Sequence, residues 1–173
     1  MFAGGTSAEL IRERVEGYTA ASLLPYDPAT DHVVLIEQFR IGALEDKAGA
    51  WIIEVVGGII EGGETPEQVV RREAMEEAGC DVSQLLPICD FLVSPGTSTE
   101  RIHLFCGRVD ASKAAGIHGV DAEGEDIRVM VMSADEAIAG IGSGRINSTA
   151  SIIALQWLAL KREELRRLWL GKD

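Results

Sequence analysis

Between Gly58 and Cys80 the chain reads GIIEGGETPEQVVRREAMEEAGC, and within it Glu73, Glu76 and Glu77 fall three and four residues apart. On a helix that spacing places three carboxylates on neighbouring surface. Like charges so placed repel and destabilise the helix unless something positive sits among them. Hard oxygen ligands on one face suit Mg²⁺ or Mn²⁺, which bind a few carboxylates and keep coordination positions for water and a substrate phosphate. The plainer reading of a Glu-Glu pair near a glycine is a solvated helix whose acids face water.

The elements needed to position these groups are visible in the same stretch. Thr65 is placed to N-cap a helix, Pro66 fits its first position, where a missing N–H costs nothing, and Gln68 closes a capping box. A helix is therefore predicted from about Pro66, with Val69, Val70, Ala74 and Ala78 as its apolar contacts. Gly57-Gly58 and Gly62-Gly63 permit tight turns and close approach of the backbone to a ligand.

Taken whole, the pattern is Gly58, five residues, Glu64, seven residues, Arg72-Glu73, then Glu76-Glu77 and Gly79. It resembles the Nudix box, with the small Ala74 and Cys80 in two slots usually filled by larger aliphatic residues. Seven fixed residue types at background frequency match by chance on the order of once in a million chains or less, which favours a site over a solvated helix. The resemblance implies metal-dependent diphosphate hydrolysis. Glu73, Glu76 and Glu77 would be metal ligands, joined by the backbone carbonyl of Gly57, with Glu73 and Glu77 in the catalytic set. Glu64 and Arg72 would hold loop and helix together. The implied fold class is α+β, a mixed β-sheet sandwiched between α-helices.

Outside the box, Ser94-Pro95-Gly96-Thr97-Ser98-Thr99-Glu100-Arg101 and the later GIHGVDAEGEDIRV segment look like the ADP-ribose pyrophosphatase branch of the family. That resemblance implies that Glu100 contacts a terminal ribose, that Ser94 and Pro95 shape the pocket, and that Arg40 and Arg12 meet phosphate or adenosine groups. Arg12 would act across a homodimer interface. In the DAEGED loop it implies Glu123 as general base and Glu125 as a further metal ligand. The expected reaction is ADP-ribose and water giving AMP and ribose 5-phosphate, with Mg²⁺ as the default ion and Mn²⁺ as the other candidate. GDP-mannose or another nucleotide sugar is the alternative substrate, and a nucleotide-sugar sensor without turnover the alternative class.

The 173 residues, 46% of them hydrophobic, suffice for one domain with a substantial core, expected over residues 1–173 with 1–16 as an N-terminal arm. A formal charge of −12 argues against a general nucleic-acid binder, which needs a positive stripe. Divalent ions reconcile that acidity with an anionic substrate. Cys80, Cys89 and Cys106 lack metal or disulfide spacing and are expected to be buried thiols in a reducing cytosol, and His32, His103 and His118 are too scattered for a histidine metal site. No apolar run is long enough to span a membrane and the first residues lack signal-peptide order, so the expected location is the cytoplasm. Strands are predicted over 17–26, 33–39, 51–56, 88–93, 101–109 and 127–132, a long loop over 110–125, and helices from Ser133 to about Gly140–Gly142 and from Ser148 to Leu168.

Overall fold

The computed structural model describes residues 2–120 and 124–171. Its central strands form where apolar residues are buried on both faces. In β1 (Thr19–Asp27) and β2 (His32–Phe39), Leu24, Tyr26, Val33 and Leu35 enter one core layer while Leu23, Val34 and Ile36 enter the other. That is the alternation a pleated strand imposes. The first layer is closed by α2 (Ala134–Ser143) and α3 (Thr149–Leu170), the second by α1 (Pro66–Ala78).

The remaining strands are β3 (Trp51–Glu54), β4 (Val56–Ile59), β5 (Gln84–Leu92), β6 (Arg101–Arg108), β7 (Ile117–His118) and β8 (Ile127–Ser133). They build one mixed sheet in the order β5-β6-β1-β2-β8-β7, with β1 and β6 parallel. The β1–β2 hairpin is closed only at its tip, where Tyr26 pairs with Val33 and Asp27 with His32. Beyond the tip the strands part: β1 pairs with β4 from Leu23↔Val56 to Ala20↔Ile59, and β2 pairs with β3 from Ile36↔Glu54 to Phe39↔Trp51. The single strand expected over 51–56 is therefore two strands bent at Val55. At the bend the Val55 amide donates to Ser151 Oγ of α3 at 3.0 Å, so a side chain replaces a ladder partner.

Other expectations shift for local reasons. β5 begins at Gln84 rather than Ile88 because Pro87 is accommodated at a register shift between Pro87 and Cys89. α2 continues through Gly140 and Gly142 to Ser143, where left-handed Gly144 ends it. The expected loop over 110–125 contains the short strand β7. In α3 Leu168 faces outward, while Trp169 is buried with its ring 6.3 Å from that of Tyr26. Cys80 and Cys106 are buried as expected, but Cys89 is exposed because β5 is an edge strand. No described helix is long and apolar enough to cross a membrane.

The tip of the hairpin is tied to α3 by Asp31, whose φ of 62° is a conformation that Asp and Asn tolerate. Asp31 accepts from Tyr26 Oη at 2.6 Å and from Arg162 Nε at 2.8 Å, and pairs with Arg166 at 3.2 Å. The Arg162 hydrogen bond, above all, holds its carboxyl down to about 2 from 3.8. A depressed carboxyl stabilises the fold above its unfolded pKa, and that contribution disappears as pH falls through 3.8 toward 2. Asp31→Asn should therefore cost on the order of 1–2 kcal/mol near neutral pH, after discounting for partial exposure. Urea unfolding at several pH values should show the difference narrowing below about pH 4; a gap that stays constant into acid would contradict the ion-pair account.

Candidate active site

α1 begins as the sequence requires. Thr65 Oγ1 accepts from the Gln68 amide and Gln68 Oε1 accepts from the Thr65 amide, a complete capping box, and Pro66 fills the first turn. Val69, Val70, Ala74 and Ala78 bury one face, which turns Glu73 and Glu76 toward the loop that precedes the helix. Arg72 gathers the acids: Nε donates to Glu64 at 3.0 Å, and Nη1 to Glu73 at 2.8 Å and to Glu76 at 2.9 Å. Glu64 is held below the usual carboxylate range by this contact.

Gly58 faces Glu73 so closely that an added Cβ would fall 1.7 Å from Glu73 Oε1. A side chain at this position would push the Glu73 carboxylate aside. Its neighbour Gly57 donates its amide to Glu77 Oε2 at 3.0 Å. Gly57 and Gly58 are thus strand residues, not a turn.

Glu77 is 2% exposed, and burial, reinforced by the charges of Glu73 and Glu125, raises its carboxyl to about 8. Burial likewise raises Glu73, with Glu76 and Glu125 adding to the rise. Glu73, Glu76, Glu77 and Glu125 offer only carboxylate oxygens, a donor set suited to a hard divalent cation. Among the described residues no three His, Cys, Asp or Glu side chains already stand together as a metal cage. Glu73 and Glu76 are turned to Arg72 and Glu77 to the Gly57 amide. The chemistry of the donors fits a divalent ion, and Arg72 supplies the positive charge among them.

Three adjoining hollows meet at Arg40. The carboxylate hollow, about 330 Å³, is bordered by Glu73, Glu76, Arg72, Gly57, Gly58 and Glu125. A second of about 400 Å³ shares Arg40, Gly57 and Gly58 with it, and shares Arg40, Glu54, Glu100 and Ile102 with a third of about 800 Å³. Among their described lining residues nine are acidic and two, Arg40 and Arg72, are cationic. An anionic substrate therefore needs added cations to enter.

Arg40 and Glu100, named separately as substrate contacts from the resemblance, both line this cleft. Ser94 and Pro95 form an exposed turn, with the Thr97 amide on the Ser94 carbonyl at 3.0 Å, and neither lines these hollows. Arg12 is exposed and donates to the Ile11 carbonyl at 2.8 Å, away from the cleft lining. Its arm is anchored nearby through Val15, whose amide donates to Thr97. Glu125 borders the carboxylate hollow and accepts from the Val120 amide at 3.0 Å. Glu123 lies outside the described residues. Sequence reading missed Glu54, which accepts from Arg40 Nε at 2.6 Å and is only 18% exposed. Nothing in its spacing marks it, because the pair is formed only when β2 and β3 lie side by side.

Comparison with known proteins matches residues 18–161 to the NUDIX domain. The chain belongs to the Nudix family. It is 48% identical over 169 residues to the ADP-ribose pyrophosphatase of Escherichia coli strain K12, covering 98% of this chain and 81% of that protein. It is 42% identical over 172 residues to the ADP-ribose pyrophosphatase of Haemophilus influenzae, covering 98% and 79%. The GDP-mannose pyrophosphatase of Yersinia enterocolitica is 34% identical over 154 residues, covering 88% and 80%. A crystal structure of an ADP compounds hydrolase superposes with TM-score 0.64 at 17% identity over 83% of this chain and 74% of that one, a likeness of fold. The Nudix box is the stretch that carries Gly58, Glu64, Arg72, Glu73, Glu76 and Glu77.

Glu77 gives a test that separates folding from metal binding. Because its folded pKa is raised, the stability it confers when protonated is lost as pH rises from about 4.5 to about 8. Glu77→Gln should accordingly melt higher than the parent near pH 8 in the absence of divalent ions. It should gain less than the parent when Mg²⁺ is added, and lose turnover about 100-fold. Thermal melts with and without Mg²⁺ alongside rate measurements decide this; an unchanged Mg²⁺ response would remove Glu77 from the ligand set.

Proposed function

We propose that this chain hydrolyses the diphosphate bond of ADP-ribose, giving AMP and ribose 5-phosphate. The observation that carries the reading is the junction at Arg40. There the carboxylate hollow of the Nudix box opens into a larger cleft bordered by Glu54 and Glu100. A diphosphate at the junction leaves room on the cleft side for a sugar, whose hydroxyls are suited to carboxylate acceptors. Similarity to the two ADP-ribose pyrophosphatases, higher than to the GDP-mannose enzyme, supports the choice of substrate.

In this reading Glu73, Glu76, Glu77 and Glu125, with the Gly57 carbonyl, hold Mg²⁺, or Mn²⁺ in its place. An ion held there would neutralise the diphosphate and lower the pKa of an attacking water. Arg40 meets a phosphate oxygen, and its Nε bond to Glu54 restricts the direction from which it does so. Arg72 keeps Glu73 and Glu76 side by side, and Glu64 keeps Arg72 in place. Glu123 accepts the proton of the water that adds to phosphorus as the bridging P–O bond breaks. Glu100 accepts hydrogen bonds from the terminal ribose, and Ser94 and Pro95 support the turn that leads to it.

We further infer one Nudix domain over the whole chain, acting in the cytoplasm as a homodimer. The exposed Leu10, Ile11, Val15 and Tyr18 along and beside the N-terminal arm support a covered position for it, with Arg12 carried to a neighbour's site. Free Cys80, Cys89 and Cys106 fit a reducing compartment.

Two measurements test this. Among ADP-ribose, GDP-mannose, diadenosine polyphosphates, NADH and nucleoside triphosphates, ADP-ribose with Mg²⁺ should give the highest kcat/KM, and Glu100→Ala should lower it about tenfold or more by loss of ribose contacts. Faster GDP-mannose turnover would replace the substrate, and binding without hydrolysis would make the chain a sensor. Light scattering at low micromolar concentration should give twice the mass of one chain; a fully active monomer would exclude a role for Arg12 across an interface.

A further inference from the structure

Glu125 borders the carboxylate hollow from a position after β7 and two residues before β8. The strand leading into it, β7, has two residues, lies at the edge of the sheet, and pairs only through Ile117↔Arg128 and His118↔Ile127. Two ladder pairs define a strand's place weakly. Downstream of Glu125 the chain is fixed within two residues by β8, held to β2 by six pairs from His32↔Ser133 to Glu37↔Arg128. What these strands leave open is how far the upstream side, His118 to Val120, stands from α1, which carries the other three carboxylates.

The structure assigns that task to His118. Its Nε2 lies 2.8 Å from the Ala115 carbonyl. A carbonyl only accepts, so Nε2 carries the proton and the ring has one orientation. In that orientation Cε1 rests against Gly79, the residue that caps the Nudix helix. A Cβ built on Gly79 would lie 3.2 Å from it. Gly79 is the left-handed C-cap of α1 at φ 62°, with Glu76 and Glu77 in the turn just before it. The glycine at this place in the box thus does two things: it ends the helix and it offers a bare surface on which the imidazole sits.

On the other side of His118 the packing is equally close. A Cβ on Gly119 would fall 2.7 Å from Glu125 Cβ, so residue 119 and Glu125 are in direct backbone-to-side-chain contact. The Val120 amide donates to Glu125 Oε2 at 3.0 Å. A chain of contacts therefore runs from α1 through Gly79, His118 and Gly119 to Glu125. We propose that His118 is a positioning residue, a strut that sets the distance between Glu125 and the helix-borne carboxylates without touching substrate itself. The inference rests on the reading of Glu125 as part of the diphosphate site.

The test uses the full chain with His118→Ala and His118→Gln. In metal-free, substrate-free protein, exchange of the Val120 amide should quicken about tenfold or more in His118→Ala, while amides in α1 and the melting temperature stay near the parent's. For ADP-ribose with Mg²⁺, kcat should fall about tenfold with KM changed less than about twofold, as expected when a group acts on geometry rather than on binding. His118→Gln, which keeps an N–H for the Ala115 carbonyl but loses the ring surface, should be intermediate in both. Unchanged Val120 exchange in His118→Ala would overturn the proposal, as would acceleration shared equally by α1. Should His118→Ala fail to fold, His118→Gln alone decides by the same comparison. The exchange measurement involves neither metal nor substrate, so it stands even if ADP-ribose is not the substrate.

Discussion

A single guanidinium makes the rest of this site possible. Glu64, Glu73 and Glu76 all bond to Arg72, and Glu73 and Glu77 are raised by burial and by neighbouring carboxylates. Without a cation among them, acids three and four apart on a helix would push each other toward solvent or toward protonation. Arg72 keeps them on one wall, and that wall is what a divalent ion and a diphosphate require. The same contact holds the 60–64 loop to the helix, so local folding and metal chemistry share one interaction.

The sheet then decides what lies opposite that wall. Parting of β1 and β2 beyond their tip admits β3 and β4 between them, and the bend at Val55 sends the two strands to different partners. β4 brings Gly58 onto Glu73, while β3 brings Glu54 to Arg40 at the end of β2. The parallel pairing of β1 with β6 places Glu100, just before β6, across the same opening. The carboxylate hollow and the cleft beside it thus lie on either side of the strands admitted between β1 and β2, and Arg40 stands where they join.

Much of this was legible in residue order because its physics is local. Helix α1 starts at Pro66 and caps at Thr65 as read from TPEQ, and a helical repeat of 3.6 residues puts Glu73 and Glu76 on one wall of the hollow, with Glu77 buried beside them against Gly57. Fold class, box chemistry and the family follow from such short-range patterns. The apolar runs over 17–26 and 33–39 likewise announced strands, which the fold buries on both faces.

What the sequence by itself determined, then, is which groups could bind a metal and which face of α1 presents them, since both depend on spacing within a few residues. Tertiary structure alone decided that Glu54 grips Arg40 across β2 and β3, that His118 rests on Gly79 some forty residues upstream, and that Ser94 and Pro95 stand outside the cleft while Glu100 lines it. It also split the 51–56 run, because the partner of the Val55 amide is Ser151 Oγ, far along the chain on α3. Local periodicity carries no record of such pairings; they arise only when separate elements compete to satisfy one another's buried polar groups and apolar faces.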